Sequence, residues 1–373
     1  MRFDQLVLKN ARVRISHPED LIFDAGLAGA AAALNILKTT ADTPDQISIK
    51  FDGSPALIFG RDERGFSAID KIEFNKLQYE LPRSGSELAD RLFKRVPDQP
   101  GRADYAAAIG EVWRYLERLV PESFLGFLQG DLMWAGKVPV INGNFQFSPN
   151  KIVYKVPVNS ELGQQIANSQ VGIAIHSYYE NRQQHQSTAV DVNDLRLNRV
   201  PGLVILDPTI SINQPLTWPI DLENRLRNLL TVHQDQLVEF FDPVELKKHQ
   251  ISDMAGYMKR YVNLLARNGK PALFAHIQNF ESWIISDNLK ITRRKAANLY
   301  AYFAQHKQTV AAIWQIVDLI VRIKYNLKDQ LDRITDSHIH AELHSKPEQE
   351  GFVSDTKYGK IKLVDRSQFM REI

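Results

Sequence analysis

The stretch KFDGSPALIFG, Lys50 to Gly60, decides how the rest of the chain is read. An alternating run, Ile47-Ser48-Ile49-Lys50-Phe51, carries a lysine at its end and meets Asp52-Gly53, a dipeptide favoured in hairpin turns. A second apolar run, Ala56 to Phe59, follows. Two readings compete. In one, the stretch is a surface hairpin and the lysine a solubilising charge. In the other, the lysine is a nucleophile, held rigid at a strand end and aimed at a bound nucleotide.

Working outward, residues 20–38 show alanine and leucine at helical spacing and predict a helix. Short alternating runs from 47 to 80 predict a strand meander, and 86–119 return to helical spacing. Residues 124–179 are strand-like, as is GLVILDP at 202–208. From about 220 to 335 glycines thin out and long helical periods predict three to five helices. Between Asp221 and Arg333 there are 17 Lys/Arg against 12 Asp/Glu, a local basic excess. The tail, 348–369, is strand-like and too short to be a domain of its own. The chain is therefore expected to fold as a discontinuous sheet domain, 1–215 plus 345–373, interrupted by a helical insertion at 216–344.

Composition narrows the function classes. The chain has 373 residues, enough for a sizeable core, and a net charge of only +2, so a phosphate-rich partner needs a local basic patch. Cysteine is absent, which excludes disulfide scaffolds, thiolate zinc sites and thiol catalysis. With no signal-peptide pattern and no run of 18 apolar residues, the expectation is a cytoplasmic protein without a membrane partner.

Three further elements stand beside Lys50-x-Asp52-Gly53. FLGFLQGDLMW, 124–134, places Gly130-Asp131 in an apolar strand. Glu350-Gly351-Phe352-Val353 opens the tail. Lys360 and Lys362 are two apart, so on a strand they share a face, and an anion between them would relieve their repulsion. In this order the elements resemble motifs I, III, IV and V of the covalent nucleotidyltransferase superfamily, the ATP-dependent nucleic-acid ligases and the mRNA capping enzymes. The short tail after Lys362 makes the phage RNA-ligase branch the nearest likeness. The block AIDKIEFNK, 68–76, and the helix before Lys50 also resemble an uncharacterised family of tailed-phage proteins.

The resemblance implies an α+β fold: an antiparallel-sheet nucleotidyltransferase domain, ATP-grasp-like, with a mostly helical insertion. It implies that Lys50 is the nucleophile that takes AMP from ATP, within the turn Asp52-Gly53. It puts Asp131 near the ribose and the metal, Glu350 on the Mg²⁺ (or Mn²⁺) and nucleotide, and Lys360 and Lys362 on the α-phosphate. Tyr178 is the candidate to stack on the base, with Tyr154 as the alternative. Asp131 departs from the usual glutamate by one methylene. The implied activity is ATP-dependent joining of RNA or DNA ends, RNA foremost, in the host cytoplasm if the gene is a phage's. Two alternatives stay open: transfer to a non-nucleic-acid acceptor, and a degenerate, non-catalytic nucleotide- or nucleic-acid-binding phage protein. A free lysine has a pKa near 10.4, so nucleophilic use calls for neighbouring positive charge, which the two tail lysines would supply. For the nucleic acid, Arg293, Arg294 and Lys295 open a predicted helix and are the best local candidates to meet backbone phosphates.

Overall fold

The computed structural model describes residues 15–44, 47–183, 188–190, 192–210, 212, 215–277, 279–286, 291–334, 339–343, 346–347 and 351–370. It is a mixed α/β fold with three sheets. A 3₁₀ turn, Pro18–Asp20, leads into α1 (Leu21–Asp42). This helix was expected, but its bend was not. Ala25 and Gly26 leave helical geometry, and Gly26 takes φ +55° with the Phe241 ring packed 2.9 Å from where a Cβ would stand. Glycine meets both demands.

Strands β1 (Ile47–Ile49), β2 (Ala56–Asp62) and β3 (Gly65–Asp70) follow. Next come α2 (Lys71–Phe74), α3 (Gly85–Lys94) and α4 (Arg102–Leu119). The middle segment holds β4 (Gly126–Ala135), β5 (Val140–Ile141), β6 (Asn144–Phe147), β7 (Val153–Pro157), α5 (Glu161–Ala167), β8 (Val171–Tyr179), β9 (Thr188–Ala189) and β10 (Leu203–Leu206). The helical block comprises α6 (Ile220–Val232), α7 (Gln234–Phe240), α8 (Pro243–Lys248), α9 (Met254–Arg267), α10 (Phe280–Ile284), α11 (Arg293–Gln305) and α12 (Lys307–Ile334), more and shorter helices than the spacing predicts. Asp242 and Asp253, whose carboxylates cap α8 and α9, start two of these short pieces. The tail adds β11 (His340–Leu343), β12 (Lys346–Pro347), β13 (Gly351–Thr356), β14 (Gly359–Val364) and α13 (Arg366–Phe369).

The expected meander over 47–80 is corrected in one respect. β2 and β3 form a hairpin, but β1 pairs with neither. It pairs antiparallel with β13 from the tail, in a three-stranded sheet ordered β1-β13-β14. The central sheet runs β10-β8-β4-β2-β3, with β9 beside β8, and the third runs β12-β11-β7-β6-β5. The sheets are not all antiparallel, because β10 runs parallel to β8.

α3 and α4 cover one face of the central sheet around Leu88, Leu92, Ile109, Trp113 and Leu116. A second, larger apolar cluster runs without a break from α1 through the helical block into β1, β13, β14 and the third sheet. Among the described residues one helical stretch, Pro18–Asp42, is long and apolar enough to cross a membrane, although polar residues interrupt its apolar run. In this fold it packs against α6, α7, α9, α12 and the β13–β14 hairpin, the surroundings of a core helix.

A buried charge cluster ties the two ends of the chain to α12. Lys324 Nζ lies 2.7 Å from Glu19 Oε1, and both side chains are almost fully buried. Arg366 lies 2.7 Å from Asp20 and 3.8 Å from Glu19. Burial alone would push the Glu19 carboxyl up, but the Lys324 ammonium and the Arg366 guanidinium overturn this and hold it below its ordinary value. Its contribution to stability is thus present above the ordinary glutamate range and fades as pH falls through the lowered value. Replacing Lys324 by Met should lower unfolding free energy by about 3–5 kcal/mol in urea titrations, since it strands a buried carboxylate. Adding Glu19→Gln to Lys324→Met should recover part of the loss, and no recovery would mean the cost lies in packing.

Candidate functional site

Three sheets meet at residues 50–53. Lys50 extends β1 by one residue, its N–H donating to Gly351 O at 2.9 Å. Further along, Ser54 N donates to Leu132 O, and Pro55 O accepts from Leu132 N, both at 3.0 Å, so the chain has entered the central sheet. The third sheet clamps the crossing. Asp52 N donates to the Tyr154 hydroxyl at 2.7 Å. The Asp52 carboxylate accepts from Asn150 Nδ2 at 2.8 Å and Lys151 N at 2.9 Å, in the loop before β7. Tyr154 is fully buried, stacked on Phe147 and tilted against Phe51. It supports the crossing from beneath and has no open face for a base.

Asp52-Gly53 is therefore not a hairpin turn. Gly53 is glycine because of close approach: a Cβ there would stand 2.5 Å from Asp131 Cβ and 3.0 Å from both Leu132 O and Met133 Sδ. β4 fills the space beside Gly53, and this close packing brings Asp131 beside the lysine-bearing crossing.

The register of the tail sheet does the rest. Ser48 pairs with Val353, which pairs with Lys362, and Asp355 pairs with Lys360. Cross-strand partners share a face and alternate residues repeat it. Lys50, Lys360 and Lys362 therefore lie on one face of the three-stranded sheet. Ile47, Ile49, Phe352, Ile361 and Leu363 point the other way, into the core. Lys50 and Lys362 are half-buried, and Lys360 is ion-paired to Asp355 at 3.0 Å. Ser16 pairs with Ile361 and its carbonyl accepts from Lys362 N at 3.0 Å. The next residue, His17, is pushed well below the ordinary histidine value, first by burial and then by Arg366, Lys324, Lys362 and Lys50.

Asp131 sits between two irregularities of the β4–β8 ladder. At one of them His176 is the extra residue, since Gln129 pairs with Ser177 and Gly130 with Ile175. Such a bulge re-aims a side chain. His176 Nε2 comes to 3.8 Å from Asp131 Oδ2, while Nδ1 lies 2.8 Å from Ser177 Oγ. Tyr178 stands elsewhere: its hydroxyl donates to Leu125 O, and its ring covers Gly126 and meets Phe124 edge-on.

Of the other expected site residues, Glu350 lies outside the described residues. Arg293, Arg294 and Lys295 form the exposed first turn of α11, with Thr292 capping Lys295 N and Arg294 donating to Gln250 at 2.9 Å. Among the described residues no three His, Asp or Glu side chains gather as a cation site. What they present at Lys50 is a sheet face that carries three lysines, one of them ion-paired to Asp355.

A larger opening, about 630 Å³, lies at the other end of the central sheet, between Arg61, Tyr79, Arg83, Leu125 and Arg182. Its guanidinium groups are already engaged. Arg83 is bidentate on Asp62, Arg61 donates to the carbonyls of Glu117 and Val120, and Arg182 donates to those of Glu73, Phe74, Lys76 and Tyr79.

No curated protein and no solved structure matches the chain. One family model does, over residues 13–372, and it spans every element described above. The chain belongs to that family, DUF6267, a family of unknown function.

Proposed function

We propose that this protein is a covalent nucleotidyltransferase of the ATP-dependent nucleic-acid ligase type, acting on RNA ends through a lysyl-AMP at Lys50. The observation that carries the reading is that Lys50, Lys360 and Lys362, from opposite ends of the chain, lie on one face of the β1-β13-β14 sheet. Lysines that share one sheet face offer several ammonium donors to the oxygens of one phosphate. In the proposed step the neutral Lys50 amine attacks the α-phosphorus of ATP. A P–N bond forms, the bond to pyrophosphate breaks, and the amine proton passes to solvent.

The chain's own residues would then orient and stabilise. Lys360 and Lys362 offset charge on the phosphate and on departing pyrophosphate. The clamp of Tyr154, Asn150 and Lys151 on residue 52 holds the nucleophile's backbone still. In this reading Asp131 would meet the ribose and His176, beside it on the central sheet, the base. A divalent cation would add electrostatic stabilisation of the phosphates.

With radiolabelled ATP, Mg²⁺ and denaturing gels, wild type should retain label on the chain. Lys50→Ala should abolish it, and so should Lys50→Arg, whose guanidinium stays protonated. Label retained on either variant, mapped by mass spectrometry to another residue, would sink the assignment of Lys50.

Replacing Arg293, Arg294 and Lys295 together by alanine should weaken polynucleotide binding. It should also flatten the salt dependence by nearly one unit of log–log slope for each phosphate no longer neutralised. Adduct formation should continue. An unchanged affinity and slope would reduce the three residues to a solvated helix start. Wild type that forms adduct but binds no nucleic acid would point to another acceptor.

A further inference from the structure

The buried charge cluster that ties the chain's ends to α12 leaves part of its hydrogen-bonding capacity unmet by protein groups. Six buried side-chain polar atoms among the described residues have no hydrogen-bond partner, and four of them, on His17, Glu19, Asp20 and Arg366, belong to this cluster. Two of the four are complementary: Glu19 Oε2 is an acceptor and Arg366 Nε a donor. They do not satisfy each other. The ion pair between these side chains measures 3.8 Å from Nη2 to Oε1, too long for a direct hydrogen bond. A polar contact of that length is where a bridging molecule is to be sought.

A small cavity lies against the same two side chains. It measures about 10 Å³, counted as room for the centre of a water molecule, and its wall includes Glu19, Arg366, Ser367, Tyr325, Ala266 and Lys270. By that measure one water needs roughly 10–15 Å³. Glu19 and Arg366 are buried and Lys270 is exposed, so the cavity reaches toward the surface just beyond the end of α9. Tyr325 and Ser367 both donate their hydroxyl hydrogens to Asp365 Oδ1, at 3.0 and 2.6 Å, which leaves their oxygens able to accept. The wall thus offers an N–H that lacks an acceptor, a carboxylate oxygen that lacks a donor, and two hydroxyl oxygens. A metal cation would suit the carboxylate and be opposed by the guanidinium. An anion would suit the guanidinium and be opposed by the carboxylate. A small neutral molecule that both donates and accepts suits both.

We propose that this cavity is a binding site for one water molecule, which accepts from Arg366 Nε–H, donates one hydrogen to Glu19 Oε2 and gives the other to the Tyr325 or Ser367 oxygen. Three hydrogen bonds are typical of a buried water. The bridge joins α13 to the turn before α1, so the tail is anchored through solvent as well as through charge. The site does not depend on the proposed transfer chemistry.

A crystal structure of the full chain, at a resolution that shows ordered solvent, is the direct test. It should show one peak about 2.7–3.2 Å from both Arg366 Nε and Glu19 Oε2. No peak there, a direct Arg366 Nε–Glu19 Oε2 bond closing the gap, or a peak at roughly 2.0–2.6 Å from Glu19 as a metal ion would sit, overturns the proposal. Ala266 on the cavity wall gives a test in solution. Serine and valine have similar helix propensities, so that cost cancels between them. In a hydrated cavity the hydroxyl of Ala266→Ser joins or replaces the water's bonds, whereas Ala266→Val displaces the water and leaves a donor and an acceptor unpaired. Ala266→Ser should therefore have the higher Tm of the two. In a dry cavity the order reverses, because valine fills space without burying a hydroxyl. A Tm for Ala266→Val equal to or above that of Ala266→Ser overturns the proposal. If neither variant folds, the wild-type map decides alone.

Discussion

The hydrogen bonds that fix Asp52 are the constraint on which the site depends. Between Ile49 and Ala56 the chain leaves one sheet and enters another, and such a crossing would ordinarily be a loose loop. Here the buried Tyr154 hydroxyl accepts from the residue 52 amide, and Asn150 and Lys151 hold its carboxylate. With that point pinned, Lys50 must end one sheet and Gly53 must lie against Asp131 of the next. The aspartate thus serves the lysine through geometry, two residues away, without facing it.

The second support is electrostatic. The β13–β14 hairpin carries Lys360 and Lys362 and is followed at once by Arg366, whose guanidinium is buried against Asp20 and Glu19. The same carboxylate of Glu19 holds Lys324 of α12. The hairpin's position is set by charges that cannot be separated without leaving one of them buried and unpaired. The longest helix of the helical block and the lysine-bearing hairpin are joined through this cluster.

How far the sequence could be read follows from the physics of each element. Periodicity exposed α1, α4, α12 and the strand character of β4 and β8, because apolar spacing is local. Lys50, Lys360 and Lys362 could be matched to motifs for the same reason, as residues two apart on a strand share a face wherever the strand goes. Pairing is not local. Nothing in Ile47-Ser48-Ile49 says that its partner is Phe352 and not Ile58, so a meander was the natural expectation. His176 escaped because a bulge is set by the register of two strands, and simple alternation along VGIAIHSYY favours Tyr178 equally. His17 gave no signal because three of the four cations around it, Lys324, Lys362 and Arg366, lie more than 300 positions away and share no pattern with it.

The β1–β13 pairing also has a consequence in time. A ribosome makes Lys50 early, and some 300 residues must follow before the strand that flanks it exists. Non-local pairing of this kind is slow, and domains take shape as they emerge. Until β13 arrives, β1 lacks its partner strand and the lysine has no neighbouring cations from the tail. A reactive amine assembled this way would stay silent in every nascent or prematurely terminated chain. For the proposed transferase, completion of synthesis would be the first activating event.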